Sequence, residues 1–267
     1  MSKQIADLTP LLNIMEKLRD PDNGCPWDKA QDFKSIVPFT IEEAYEVADT
    51  IERMALDELP DELGDLLFQV VFYCQLGKEQ GLFDFEVVIS RICDKLTRRH
   101  PHVFDGLAAT TTSEIKQNWE ALKAEERSKR QLNSVLDDIP LSLPALSRSI
   151  KIQKRVARVG FDWAELEPVV AKIHEEIDEV LYEVQQETIE PKKVQDEMGD
   201  LLFAVVNLAR HLGVEPEQAL RQANQKFERR FRGVEAYAQA DGRAMTEHSL
   251  AELDGYWDKV KQDEANK

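Results

Sequence analysis

Between residues 165 and 184 the chain carries Val169, Val170, Ile173, Ile177, Val180, Leu181 and Val184 at the spacing of one helical face. Charged residues occupy most positions between them, and Pro168 suits a first turn. A second such pattern follows Pro191, through Val194, Met198, Leu201, Leu202, Val205, Val206 and Leu208. A third begins near Glu215 and Pro216 and runs through Ala219, Leu220, Ala223, Phe227 and Phe231. Helices with one apolar stripe each must bury it together, so the pattern predicts a small antiparallel bundle.

The same pattern occurs twice. "DEMGDLLFAVV", from Asp196, repeats "DELGDLLFQVV", from Asp61, and the flanking words repeat with it. Trp27 answers Trp163, Glu43 answers Glu176, Asp65 answers Asp200, Lys95 answers Lys226, and Trp119 answers Trp257. The expected organisation is a helical domain over 1–125, a linker region over 126–145 and a second helical domain over 146–267. The joint falls where charge-rich sequence gives way to Pro140 and Pro144. The Leu-Leu-Phe inside each repeat reads as core.

Composition narrows the class. Gly and Pro number only 11 each, which favours helices over β-rich architectures. Asp and Glu number 51 against 34 Lys and Arg, for a formal charge of -17. Such a surface repels nucleic-acid backbones and anionic lipids, so general nucleic-acid or membrane binding is disfavoured. "RSIKIQKRVAR" is the one extended basic stretch and reads as a solvated helix or as a strap near the domain joint. Cys25, Cys74 and Cys93 show no paired spacing, so neither a disulfide framework nor a thiolate metal site is expected. The N-terminus lacks the apolar centre of a secretion signal, and no run approaches the ~18 apolar residues of a membrane span. The expected location is the cytoplasm.

Candidate chemistry lies in the acids beside the apolar stripes. Glu176 and Glu179 are three residues apart, as are Glu197 and Asp200, so each pair shares a helix face. Across two antiparallel helices the four carboxylates are expected to converge. A lone Glu-x-x-Glu is ordinarily a solvated face, but two bordering sets, repeated upstream as Glu43, Glu46, Glu62 and Asp65, favour a cation. Oxygen donors without His or Cys select Mg²⁺ or Mn²⁺. A di-iron bundle would need Glu-x-x-His, which the chain lacks. Gly64 and Gly199 precede the last acid of each set, and close approach of a backbone or ligand would explain a glycine there. Lys226 and Arg230, four apart on the third helix with Arg229 adjacent, offer positive charge to a phosphate chain. Upstream, Lys95 and Arg99 repeat that pair. Trp257 and Trp163 are each candidates for stacking on a base or for packing.

"EEAYE" with "ELGD", and "EEIDE" with "EMGD", resemble the MazG nucleoside triphosphate pyrophosphohydrolases. "NGCPWDK", "RRHPHVF", "VGFDW", "KFERRF" and the duplication make the chain similar to the two-domain bacterial MazG proteins over nearly its whole length. The resemblance implies an all-α tandem repeat of MazG-type helical bundles, assembled as a homodimer. It implies Mg²⁺-dependent cleavage of nucleoside and deoxynucleoside triphosphates to monophosphate and pyrophosphate, with broad base tolerance. It places metal on Glu176, Glu179, Glu197 and Asp200, and nucleotide contacts on Lys172, Lys193, Lys226, Arg230 and Trp257. It makes the C-terminal copy the catalytic one. The N-terminal copy keeps its acids but has Phe39 where the other has Lys172. The chemistry expected is attack of an activated water on a phosphoryl group, with Lys226 and Arg230 offsetting developing charge. Glu175 is a candidate proton acceptor, turned about 100° from Glu176 around the helix. The rival reading is a noncatalytic nucleotide-binding dimer that regulates a partner protein.

Overall fold

The computed structural model of the protein describes residues 7–105 and 134–266, with 111, 114, 115, 118, 119, 121, 122 and 126 between them. Residues 1–6, read above for a leader, and 127–133 of the expected linker lie outside the described residues. All regular structure among the described residues is helical. Contacts divide the chain into two units, Met1–Glu125 and Glu126–Lys267.

In the first unit, α1 (Thr9–Leu18), α2 (Pro26–Ala30) and α3 (Val37–Glu52) precede the long α4 (Leu59–Glu79). They are followed by α5 (Phe85–Arg99) and α6 (Pro101–Phe104). Proline lies in the first turn of α1, α3 and α4, where its missing N–H costs no helical bond. The Asp84 carboxylate accepts a hydrogen bond from the Val87 N–H at 3.0 Å and so caps α5. Met15, Ile36, Val71, Phe72 and Leu76 form the core, with Phe33, Phe39 and Phe68 packed on it. Gly77 is required by close packing: a Cβ there would lie 2.6 Å from the Phe83 carbonyl oxygen.

The second unit contains α7 (Ala145–Ala157), α8 (Leu166–Val184), α9 (Pro191–His211), α10 (Pro216–Ala240) and α11 (Leu250–Ala265). The three helices read from the apolar periodicity are α8, α9 and α10. The short connection 185–190 folds α9 back along α8 as an antiparallel hairpin, and α7 lies against α9. A capping box begins α11. The Ser249 hydroxyl accepts from the Glu252 N–H at 3.3 Å, and the Glu252 carboxylate accepts from the Ser249 N–H at 2.8 Å. Helices α10 and α11 approach closely at Gly233, where an added Cβ would lie 2.7 Å from Val260.

Two expectations are corrected here. The Leu-Leu-Phe of the second copy is not core within this chain: Leu202 is 52% and Phe203 40% exposed. Along α9, Ala204 and Val206 are buried, while Met198, Leu202 and Val205, which share one face, stay more than 40% exposed. Nor does a neighbouring backbone explain Gly64 or Gly199, since a Cβ at either position would find nothing within 4 Å.

Candidate functional site

The site of the second unit grows from the α8–α9 hairpin. Helical spacing turns Glu176 and Glu179 of α8 toward Glu197 of α9, and each offers an oxygen within a set spanning no more than 4.8 Å. Glu176 is buried, and its Oε2 has no hydrogen-bond partner among the described residues. A buried carboxylate oxygen without a partner is costly unless a cation or donor meets it. Its Oε1 lies 2.7 Å from Lys172 Nζ. Lys172 also reaches Glu175 at 2.8 Å, and its two carboxylate partners, Glu175 first, hold its pKa above the ordinary lysine range. Glu179 is pushed up. The neighbouring Glu176 carboxyl is the main cause through a shared hydrogen bond, followed by desolvation and like charge. This crowd of hard oxygen donors fits a divalent cation such as Mg²⁺ or Mn²⁺.

The fourth expected acid stands slightly apart. Asp200 is exposed and lies outside the 4.8 Å set, although it lines the same cavity as Glu176. In the first unit Glu43, Glu62 and Asp65 form the corresponding set and Glu46 is the one left out. A different member drops out of each copy.

The cavity beside the acids has a volume of about 570 Å³. Lys172, Glu176 and Asp200 line it, and Asn207, Arg210, Gln153, Asp162 and Trp163 complete the polar and aromatic wall. The other residues named from the sequence lie elsewhere. Lys193, in the first turn of α9, pairs with Glu190 at 2.8 Å. Lys226 is exposed on α10. Arg230 donates to Glu264 at 2.8 Å and sits over the Trp257 ring at 5.9 Å. Trp257 packs on Phe227 with centroids 5.2 Å apart. None of these four lines the cavity. Arg229 makes an ion pair with Glu264 at 2.9 Å. Glu175 faces a separate, open depression together with His174, Asp178 and Glu179.

Sequence reasoning passed over Gln153, Asp162, Asn207 and Arg210. The signal for two of them was available: Asn207 and Arg210 stand seven and ten residues after Asp200, on its helix face. Gln153 and Asp162 come from the preceding helix and turn, so no local periodicity ties them to the acids.

The first unit keeps the acids but not this cavity wall. Phe39, at the position of Lys172, packs edge-on against Trp27 at 5.6 Å. Gln69 replaces Ala204 and donates to Glu43 at 3.4 Å, and Phe72 replaces Asn207 deep in the core. Without a lysine beside it, Glu43 is raised by burial first and then by the charges of Asp65 and Glu46.

Comparison with known proteins agrees with this duplication. The profile of the MazG nucleotide pyrophosphohydrolase domain matches twice, over residues 31–104 and 165–234. The chain is 57% identical over 254 residues to the nucleoside triphosphate pyrophosphohydrolase of Escherichia coli K12, covering 95% of this chain and 97% of that protein. It is 43% identical over 251 residues to the nucleoside triphosphate pyrophosphohydrolase/pyrophosphatase MazG of Thermotoga maritima, covering 94% of each. It is also 40% identical to the Bacillus subtilis protein YabN over 94% of this chain and 51% of that one. With the domain matched in both halves and relatives aligned along nearly its full length, the chain belongs to the MazG nucleotide pyrophosphohydrolase family.

Proposed function

We propose that this protein hydrolyses nucleoside and deoxynucleoside triphosphates to the monophosphate and pyrophosphate in its second unit, with Mg²⁺ or Mn²⁺ as cofactor. The observation that carries the reading is the convergence of Glu176, Glu179 and Glu197, with Lys172 beside them, at the edge of a cavity of nucleotide size. The E. coli and Thermotoga relatives, by name, act on nucleoside triphosphates.

Glu176, Glu179 and Glu197 would hold the cation, with Asp200 joining them by a change of rotamer. The bound cation supplies positive charge at phosphate oxygens and eases deprotonation of water. Water attacks phosphorus at the α–β linkage, the P–O–P bond breaks there, and pyrophosphate leaves with the bridging oxygen. Lys172 places a fixed ammonium at this edge of the cavity, where charge on the phosphates develops. Lys226, Arg230 and Trp257 would meet the triphosphate only from outside the cavity wall, by movement of α10 and α11 or from a second protomer, and Lys193 would meet it from the first turn of α9. A homodimer would also cover the exposed stripe of Met198, Leu202 and Val205. The domain division at 125 and 146 and a cytoplasmic role in clearing nucleotide pools complete the reading. No helix among the described residues is long and apolar enough to cross a membrane.

The test is pyrophosphate release from a panel of triphosphates with Mg²⁺. Glu197→Gln is expected to reduce turnover at least about 100-fold with the fold retained, and Glu62→Gln to leave it within about twofold. Stoichiometric nucleotide binding without pyrophosphate release would instead favour a noncatalytic regulatory dimer. Normal turnover by Glu197→Gln would refute the assignment to the second unit.

A further inference from the structure

The ammonium of Lys172 and a divalent cation have a partner in common. Lys172 Nζ lies 2.7 Å from Glu176 Oε1 and 2.8 Å from Glu175 Oε1, so it bridges two carboxylates one helical turn away on α8. Those carboxylates differ in their surroundings. The Glu176 side chain is 5% exposed and belongs to the set with Glu179 and Glu197, whereas that of Glu175 is 58% exposed and stands outside the set.

A buried carboxylate depends on its counter-charge, and Lys172 supplies one to Glu176 from within the chain. A cation on the acid set draws on that same charge. Two positive groups that share one carboxylate repel each other, so each weakens the hold of the other. Glu175 keeps the ammonium at the site when Glu176 turns its charge to the cation. Lys172 also lines the cavity with Glu176 and Asp200, and its side chain is 35% exposed, so a ligand there can reach it. A triphosphate in that cavity carries enough negative charge to satisfy ammonium and cation together. The first unit has Phe39 at this position, edge-on to Trp27 at 5.6 Å, and a ring cannot serve its acids as a counter-ion.

We propose that Lys172 couples the two ligands of the second unit. As the built-in counter-ion of Glu176, it makes a divalent cation bind weakly without nucleotide and strongly with it, so that cation and triphosphate are held as a pair. The coupling is reciprocal, since whatever the nucleotide adds to cation affinity the cation adds to nucleotide affinity. The inference rests on the reading of the site given above. It adds to that reading a competition between Lys172 and the cation, and a tethering role for Glu175.

The experiment measures Mn²⁺ binding to the full-length protein by electron paramagnetic resonance, with and without the α,β-methylene analogue of ATP, which cannot be cleaved at the α–β linkage. Glu43→Gln and Glu62→Gln are present throughout, to remove the acids of the first unit as competing ligands. Lys172→Met and Lys172→Gln should each bind Mn²⁺ about tenfold more tightly than this parent without nucleotide, the order of effect of removing a unit charge beside a divalent cation. The gain in Mn²⁺ affinity on adding the analogue should shrink by a similar factor in both. The analogue's own affinity for Mn²⁺ is common to all the proteins and cancels. Lys193→Met removes an exposed charge paired with Glu190 outside the acid set, and without nucleotide it should stay within about twofold of the parent. A merely structural lysine would lower Mn²⁺ affinity when replaced, which is the opposite sign. Unchanged or weaker Mn²⁺ binding in both Lys172 variants, or an equal rise in Lys193→Met, overturns the coupling and leaves the hydrolase reading standing. Absence of Mn²⁺ binding by the parent under both conditions overturns the cation in that reading and the coupling with it. The expected Mn²⁺ results with no pyrophosphate released from any triphosphate by the wild type overturn the hydrolase reading and leave the coupling standing.

Discussion

Replacing Lys172 by methionine keeps most of the aliphatic stem and removes the ammonium that lies 2.7 Å from the buried Glu176 carboxylate. At that separation the Coulomb attraction is roughly 6 kcal/mol at an effective dielectric of 20 and about 1.5 kcal/mol in bulk water. The Lys172 side chain is 35% exposed while that of Glu176 is 5% exposed, so solvent screens one partner and hardly reaches the other. Desolvation of Glu176 is already present in the folded state and is left uncompensated when the cation goes. After discounting for screening, the expected loss is about 2 kcal/mol of local stability. That corresponds to roughly 30-fold faster amide exchange where α8 opens independently. Hydrogen exchange read by mass spectrometry over 170–184, without divalent cation, measures it directly. Adding Mg²⁺ should return most of the protection, because the cation replaces the missing counter-charge. In a Glu176→Gln background the same lysine change should cost less than about 0.5 kcal/mol, since no buried charge remains. A loss of the same size in both backgrounds, or one that Mg²⁺ leaves untouched, would refute the electrostatic reasoning.

Two further outcomes follow from the packing of the second unit. Gly233→Ala should destabilise it by about 1–2 kcal/mol in urea denaturation, because the new Cβ would lie 2.7 Å from Val260 and the clash outweighs the gain in helix propensity. Gly199→Ala meets open space and should be neutral or stabilising by up to about 1 kcal/mol; marked destabilisation would mean that another chain packs on it. The capping carboxylate of Glu252 is lowered from 4.5 to about 2, chiefly by the Ser249 N–H and then by Arg243. A depressed carboxylate stabilises the fold above its unfolded pKa and ceases to do so as pH falls through the folded one. The melting temperature of Glu252→Gln should therefore decline less than that of the wild type as pH falls from 4.5 toward 2. Parallel declines would show that the cap is not the titrating element.

Much of this architecture can be read from spacing. The starts of α9 and α10 are marked by Pro191 and Pro216, and the acids three apart on α8 and α9 imply a shared face before any coordinates are known. Local geometry is enough for such inferences, because a helix fixes the relation between residues three or four apart. The duplication is equally plain, since it is a property of residue order.

The fate of the apolar stripe was less legible. Leu202 and Phe203 carry a core signature in sequence, yet each is at least 40% exposed here. Periodicity reports that a face must be covered and is silent about whether the cover comes from the same chain. The position of Arg230 follows the same rule: its helix is predicted, but the pairing of that helix with α11, which carries Trp257 and ties Arg230 to Glu264, depends on contacts distant in sequence.

By itself, then, the sequence determined an all-α tandem repeat, the four acids in each copy and the lysine that distinguishes one copy from the other. Only the tertiary structure decided that Glu176 is buried with an oxygen unpartnered, that Gln153 and Asp162 share its cavity, and that Phe39, Gln69 and Phe72 occupy the equivalent space in the first unit. The reason is one of range. Helical periodicity fixes neighbours within a turn or two, whereas a cavity is made where separate elements fail to fill the space between them, and that depends on side-chain volumes brought together from across the fold.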